Sequence, residues 1–292
     1  MGLRFLHCSD IHLLHLRRID MYRYFNKRLT GAANLLLKRR KLHDSRLFDR
    51  IVETSIKLGV QRFVITGDLT NLAFESEFEH VRDRLRELPM PVTLIPGNHD
   101  AYTRRSEQQK RCELILREFM TDAHVGGGLE YPFVTRHRNV AFVGLSSAIA
   151  TPPFSAVGQV GSLQLQRMGE RLHELSKKDV LRVVLIHHPV VDGVAKSHHE
   201  LLDRKAFSDV LARFGAELIL HGHEHKTMQS ELLGPNGRVP VHGIASGTSR
   251  SMKLKKRAAF SIYDTEGSHF CRILFRWNGE TFEASNDGFG DR

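Results

Sequence analysis

Five short runs of this 292-residue chain gather carboxylate, imidazole and carboxamide side chains: Asp10-Ile11-His12, Gly67-Asp68, Gly97-Asn98-His99-Asp100, Ile186-His187-His188-Pro189 and Gly222-His223-Glu224-His225. Most follow a stretch of β-branched or apolar residues. Each then reads as a buried strand that ends and turns its next side chains into a shared cleft. Together they supply enough hard and borderline ligands for two divalent cations. Two cations in one cleft point to hydrolysis of a phosphoester.

Taken singly, the runs differ in weight. Asp10 and His12 fit helix or strand capping as well as metal binding. Gly67-Asp68 is common turn chemistry. Asn98 beside His99 is more specific, because a neutral amide oxygen suits an oxygen ligand next to an acid. His223 and His225 fall on one side of an extended chain, since side chains alternate, and Gly222 allows close approach.

In this order, at separate strand ends, the runs resemble the calcineurin-like metallophosphoesterase superfamily, whose signature is D-x-H, G-D, G-N-H-[DE], H and G-H-x-H. The resemblance extends from about residue 3 to residue 277, apart from a basic insert. It implies that Asp10, His12 and His225 hold a first metal, that Asn98, His187 and His223 hold a second, and that Asp68 bridges both. The cofactors expected are two divalent ions, Mn, Fe or Zn, because mixed Asp, His and Asn ligands suit these better than Ca or Mg. A shared carboxylate can hold two cations roughly 3.5–4 Å apart, with a bridging hydroxide as nucleophile. His99 is the expected catalytic residue, donating a proton to the leaving oxygen or stabilising charge on phosphorus. Many relatives orient this histidine with an Asp three residues after the bridging Asp, a place occupied here by Asn71.

The pattern is nearest to class III cyclic nucleotide phosphodiesterases and to UDP-2,3-diacylglucosamine pyrophosphohydrolase-like enzymes, although the commoner form of the latter has Arg where this chain has His99. The implied substrate is a phosphodiester or pyrophosphate, either lipid-linked or a soluble nucleotide. A non-catalytic metal-binding scaffold is the alternative. Arg104, Arg105 and His198 are candidate substrate contacts. His7, His188 and His221 read as buried packing or supporting residues.

The elements that must position these groups are α/β. Strands are expected at 3–8, 62–66, 92–95, 140–145, 181–186, 217–220, 228–233, 239–245, 259–264 and 270–277. Helices are expected at 47–57, 75–88 and 206–214, where apolar residues recur at helical spacing. Alternating strand and helix implies right-handed crossovers and a largely parallel sheet. We expect two face-to-face mixed sheets flanked by helices, the four-layer metallophosphoesterase sandwich, as a single domain over 1–292.

Hydrophobic residues make up 41% and charged residues 26%, ordinary for a soluble globular protein. No apolar run approaches a membrane span, and a strand starting at Leu3 leaves no room for a signal peptide. Cys8, Cys112 and Cys271 are an odd, scattered set that argues for a reducing, cytoplasmic location. The formal charge of +10 is concentrated: Leu13 to Arg46 holds ten Lys and Arg against Asp20 and Asp44, a net +8 that leaves +2 for everything else. This basic insert, at about 15–46, places Met21, Phe25, Leu29, Ala32 and Leu36 on one helical face before Lys38-Arg39-Arg40-Lys41. It reads either as a helical flap on its own domain or, through residues 17–41, as a peripheral contact with an anionic inner-membrane surface. The absence of an aromatic platform argues against nucleic acid.

Overall fold

β1 (Arg4–Cys8), β2 (Arg62–Thr66) and β3 (Val92–Ile95) are short apolar runs, almost wholly buried, as parallel neighbours covered on both faces must be. The computed structural model describes residues 2–13, 42–101, 108–121, 129–152 and 154–285. β1 pairs in parallel with β2, and β2 with β3. On its other edge β1 pairs antiparallel with β10 (Ala259–Glu266), which continues into β11 (His269–Trp277) and β12 (Phe282–Ala284). The first sheet therefore runs β12-β11-β10-β1-β2-β3.

The second sheet runs β4-β5-β6-β7-β9-β8. Its members are β4 (Phe133–His137), β5 (Val140–Gly144), β6 (Leu181–Leu185), β7 (Leu218–His221), β8 (Met228–Gly234) and β9 (Gly237–Gly243). β5, β6, β7 and β9 are parallel, and β4 and β8 close the edges antiparallel.

Alternate residues of the second sheet serve two cores. Phe142, Val183, Leu185, Leu218 and Leu220 pack with Phe5, Phe63 and Tyr263 of the first sheet. The Phe5 and Phe142 rings meet edge to face with centroids 5.2 Å apart, so the sheets lie face to face. α1 (Arg46–Lys57) and α2 (Glu75–Arg86) join that core through Phe48, Ile51, Phe78 and Val81. On the opposite face Val143, Val184 and Ile219 pack against α4 (Ser162–Ser176) and α5 (Arg204–Phe214) through Leu165, Met168, Leu172, Phe207 and Leu211. α3 (Arg111–Leu116) is short and packs near α2.

The expected strands and helices are found within a residue or two of their positions, and β4, β12, α3 and α4 are added to them. The Met21–Leu36 face, Lys38–Lys41, Arg104 and Arg105 lie outside the described residues. All three cysteines are free. Among the described residues no helix is long and apolar enough to cross a membrane.

Candidate metal centre

The loops that follow β1, β2, β3, β6 and β7 are stitched to one another by main-chain bonds. Asp10 and His12 donate their N–H groups to Gly67 O and Asp68 O, both at 3.0 Å, and Gly222 donates to His187 O at 3.1 Å. The buried Asp100 carboxylate joins the β2 and β3 loops, accepting from the N–H groups of Gly97, Leu69 and Thr70 and from the Thr70 hydroxyl. Burial, reinforced by the charge of Asp68, outweighs those donors and raises its pKa to about 6. Asp100 positions the loops instead of offering oxygens to the cleft.

Packing five chain segments this closely dictates special backbone. A Cβ at Gly222 would stand 1.9 Å from Ser9 Oγ, and one at Gly97 would stand 2.3 Å from Asp68 Oδ1. Five candidate ligands adopt left-handed backbone: Asp10 (φ 53°), His12 (42°), Asp68 (52°), His223 (71°) and His225 (49°). Such conformations cost L-residues roughly 1–2 kcal/mol each and collect at functional sites. The His223–His225 segment is therefore a bend, not the extended chain expected from its alternation, because each residue must turn sharply to re-aim its side chain after β7.

The side chains form two groups that meet at Asp68. On one side, His225 Nε2 lies 3.1 Å from Asp10 Oδ1 and 3.4 Å from His12 Nε2. Donor atoms of Asp10, His12, Asp68 and His225 all lie within 4.8 Å of one another. On the other, Asn98 Oδ1 lies 3.1 Å from His187 Nε2 and 3.0 Å from His223 Nδ1. Asp68 presents Oδ1 to His187 Nε2 at 3.4 Å and Oδ2 to His12 Nε2 at 3.8 Å.

The tautomers fit metal binding. A carbonyl only accepts, so His12 Nδ1 donates to Thr70 O at 3.2 Å and His187 Nδ1 donates to Thr66 O at 2.7 Å. Each ring is left with its Nε2 lone pair turned into the cluster, the arrangement by which outer partners orient metal-ligating histidines. Burial, with the crowding of His188, His187, His199 and His225, pushes the His223 pKa well below its usual value and keeps the ring in the neutral, ligating form. Burial pushes the Asp10 carboxyl up, but His225, His187 and the Ser9 hydroxyl overcome it and hold it well below the usual carboxylate range. Asp68, by contrast, is raised by burial against the pull of His187.

His99 stands at the junction, its backbone N–H donating to Asp68 Oδ1 at 2.9 Å and its Nε2 lying 4.0 Å from Asp68 Oδ2. Its Nδ1 donates to the backbone carbonyl of Asn71 at 3.2 Å, while the Asn71 side chain donates to His12 O. Asn71 thus meets His99 through its main-chain carbonyl, while its side-chain amide reaches His12 O. The 71–74 turn is held in turn by buried Glu77, whose carboxylate accepts from the N–H groups of Asn71, Leu72 and Phe74.

His188 cannot offer a lone pair: Nε2 donates to Ala156 O and Nδ1 is bound by the Ser147 hydroxyl at 2.7 Å. His7 and His221 are buried, and burial lowers the His221 pKa to about 4. His198 is exposed and meets His199 edge to face. The neighbour that reaches the cluster is His199, 3.3 Å from Glu224 and edge to face with His223 at a centroid distance of 5.3 Å. His43 is the other residue brought in that no local motif announces, its ring centroid 4.5 Å from that of His12.

Residues 3–227 match the calcineurin-like phosphoesterase family, and the chain belongs to it. It is a metallophosphoesterase, a hydrolase of a metal-dependent family. It is 24% identical over 200 residues to a probable glycerophosphodiester phosphodiesterase, GpdQ, of Arcobacter nitrofigilis, a match covering 66% of this chain and 67% of that protein. It is 28% identical over 171 residues to the 3',5'-cyclic adenosine monophosphate phosphodiesterase CpdA of Haemophilus influenzae, covering 58% of this chain and 56% of that one. Among solved structures, a dimetal phosphatase from Danio rerio shares the fold with a TM-score of 0.61 and 15% identity, over 97% of this chain and 98% of that one.

Proposed function

We propose that this protein hydrolyses a phosphodiester at a centre of two divalent metals, Mn, Fe or Zn. Asp10, His12 and His225 hold one metal, Asn98, His187 and His223 hold the other, and Asp68 serves both. The observation that carries this reading is the divided Asp68 carboxylate, with Oδ1 toward His187 and Oδ2 toward His12. Bound divalent metals supply Lewis acidity and lower the pKa of water. His99, fixed through Nδ1 on Asn71 O, holds its Nε2 where a proton can pass to the leaving oxygen. The choice of a diester over a pyrophosphate is supported by the names of both matched relatives.

We place this activity at the cytoplasmic face of an anionic membrane, on a lipid-linked diester. The basic insert supports this by composition. A second segment supports it by placement. Arg250, Lys253, Lys255, Lys256 and Arg257 come within eight residues of sequence without an acidic residue, and Met252 and Leu254 among them are 50% and 54% exposed. Inward-facing carbonyls pin this segment: Leu254 O accepts from Arg276 Nη1 at 2.7 Å and Lys255 O from Thr227 N at 2.8 Å. The side chains of residues 252–256 are exposed, and Arg257 folds back to donate to Met252 O at 2.9 Å. The segment adjoins the exit of the insert, with Arg250 N donating to Leu42 O. Exposed apolar groups with a cationic flank are the composition of a membrane-surface contact.

Metal-loaded protein should cleave bis-para-nitrophenyl phosphate faster than the para-nitrophenyl monoester, and preference for the monoester would overturn the diester reading. It should also sediment with phosphatidylglycerol vesicles at low salt. Each cation near such a surface contributes about 1 kcal/mol, so Lys253→Glu with Lys255→Glu and Lys256→Glu should release it. Wild-type protein that ignores these vesicles would leave a soluble nucleotide as the substrate.

A further inference from the structure

We infer that His43 is an additional ligand on the Asp10 side of the centre, an inference that rests on the two-metal reading above. Ring nitrogens of His12, His43 and His225 lie within 4.8 Å of one another. The His43 ring meets His12 and His225 edge to face, with centroids 4.5 and 5.5 Å away.

Hydroxyl arithmetic sets its tautomer. Ser246 Oγ donates to Asp10 O at 2.7 Å, and Thr248 Oγ1 donates to Ile11 O at 3.0 Å. A hydroxyl has one hydrogen. Both oxygens therefore act as acceptors toward His43 Nδ1, which lies 3.0 Å from Thr248 Oγ1 and 3.3 Å from Ser246 Oγ. Nδ1 carries the proton, and the lone pair is on Nε2. This is the same tautomer that carbonyls impose on His12 and His187. The two hydroxyls also grip the backbone of the loop that bears Asp10 and His12, so His43 is referenced to the very segment it would share a metal with.

The placement is built, not incidental. His43 forms a bridge with Ser249, Asp44 N donates to Thr248 O at 2.8 Å, and Arg250 pairs with Asp44 at 3.2 Å. Asp10, His12, His225 and Asp68 offer the Asp10-side metal four protein donors, fewer than the six an octahedral ion takes. A third imidazole makes this side richer in nitrogen than its partner, which has His187, His223 and the Asn98 amide.

The test is metal binding. Apoprotein, His43→Ala and Thr248→Val are titrated with Co(II), following visible absorption and competition with a chelator. Wild type should bind two ions. His43→Ala should weaken one of them about 10–100-fold, as losses around metal sites do, change its absorption band and leave the other ion untouched. Thr248→Val, which keeps the imidazole and loses its orienting acceptor, should shift the same ion in the same direction by less. Unchanged affinity and spectrum in His43→Ala would overturn the inference. A wild type that binds fewer than two ions would instead overturn the two-metal reading, before any variant is compared.

Discussion

On the Asn98 side of the cluster, His187 and His223 are buried and backed by two further buried imidazoles, His188 and His221. On the Asp10 side, the His225 side chain is 34% exposed and His43 is only partly covered. The candidate histidine ligands therefore sit in two different settings. Burial and imidazole crowding push the His223 pKa well below its usual value, which favours the neutral ring that a metal requires. On the Asp10 side His43 bridges Ser249, a few residues before the exposed Lys253, Lys255 and Lys256. The difference teaches that exposure divides the histidines, not the whole sides, since Asp10 and His12 are buried and Asn98 is partly buried.

Asp68 belongs to both sides, so its loss should have the largest effect. Asp68→Ala is expected to lose both metals, or to keep one weakly, and to lose turnover with them. Two tightly held metals by elemental analysis would break the idea that the sides share a ligand.

His99 sits at the junction without a place in either ligand group. His99→Ala should keep both metals and lose about 10²–10⁴-fold in kcat. The loss should shrink for substrates with good leaving groups. An equal loss for good and poor leaving groups would move His99 from proton donor to charge stabilisation.

Glu77 supports the Asn71 turn that orients His99, and burial raises its pKa from 4.5 to about 7 against three backbone donors. A raised acid pKa favours the protonated folded state. Its stabilising contribution is complete below pH ~4.5 and is lost as pH rises through about 7, roughly 3 kcal/mol in all. Urea unfolding of the metal-free protein should show this fall between pH 5 and pH 8, and Glu77→Gln should flatten it. Parallel pH profiles for the two proteins would remove Glu77 as the cause.

Gly222 tests the packing of the Asp10 side. Gly222→Ala forces a methyl onto Ser9 Oγ and Asp10 Oδ2, and overpacking of this kind costs about 1–3 kcal/mol. Thermal unfolding should register that loss, with metal on the Asp10 side weakened more than on the Asn98 side. Equal weakening of both would mean that the two sides respond as one body.

The sequence by itself determined the donor groups and the strands that carry them. Asp10, His12, Asp68, Asn98, His187, His223 and His225 stand at strand ends because apolar β runs stop there, and that is local information. The central parallel strands were equally legible, since strands buried on both faces are written as continuous apolar runs. α4 was less so: Leu165, Met168, Leu172 and Leu175 have helical spacing, but polar residues separate them and Gly161 offers no capping side chain. Only the tertiary structure decided how His99 is oriented, because the group that does it is a backbone carbonyl, which every residue has. The same holds for His43, whose partners Ser246 and Thr248 are more than 200 residues away. It holds as well for the bend at His223–His225, where close approach to Ser9 and Asp10 overrides the alternation of an extended chain. Residue type and period are local properties; a tautomer, a close contact and a shared carboxylate exist only once distant loops have met.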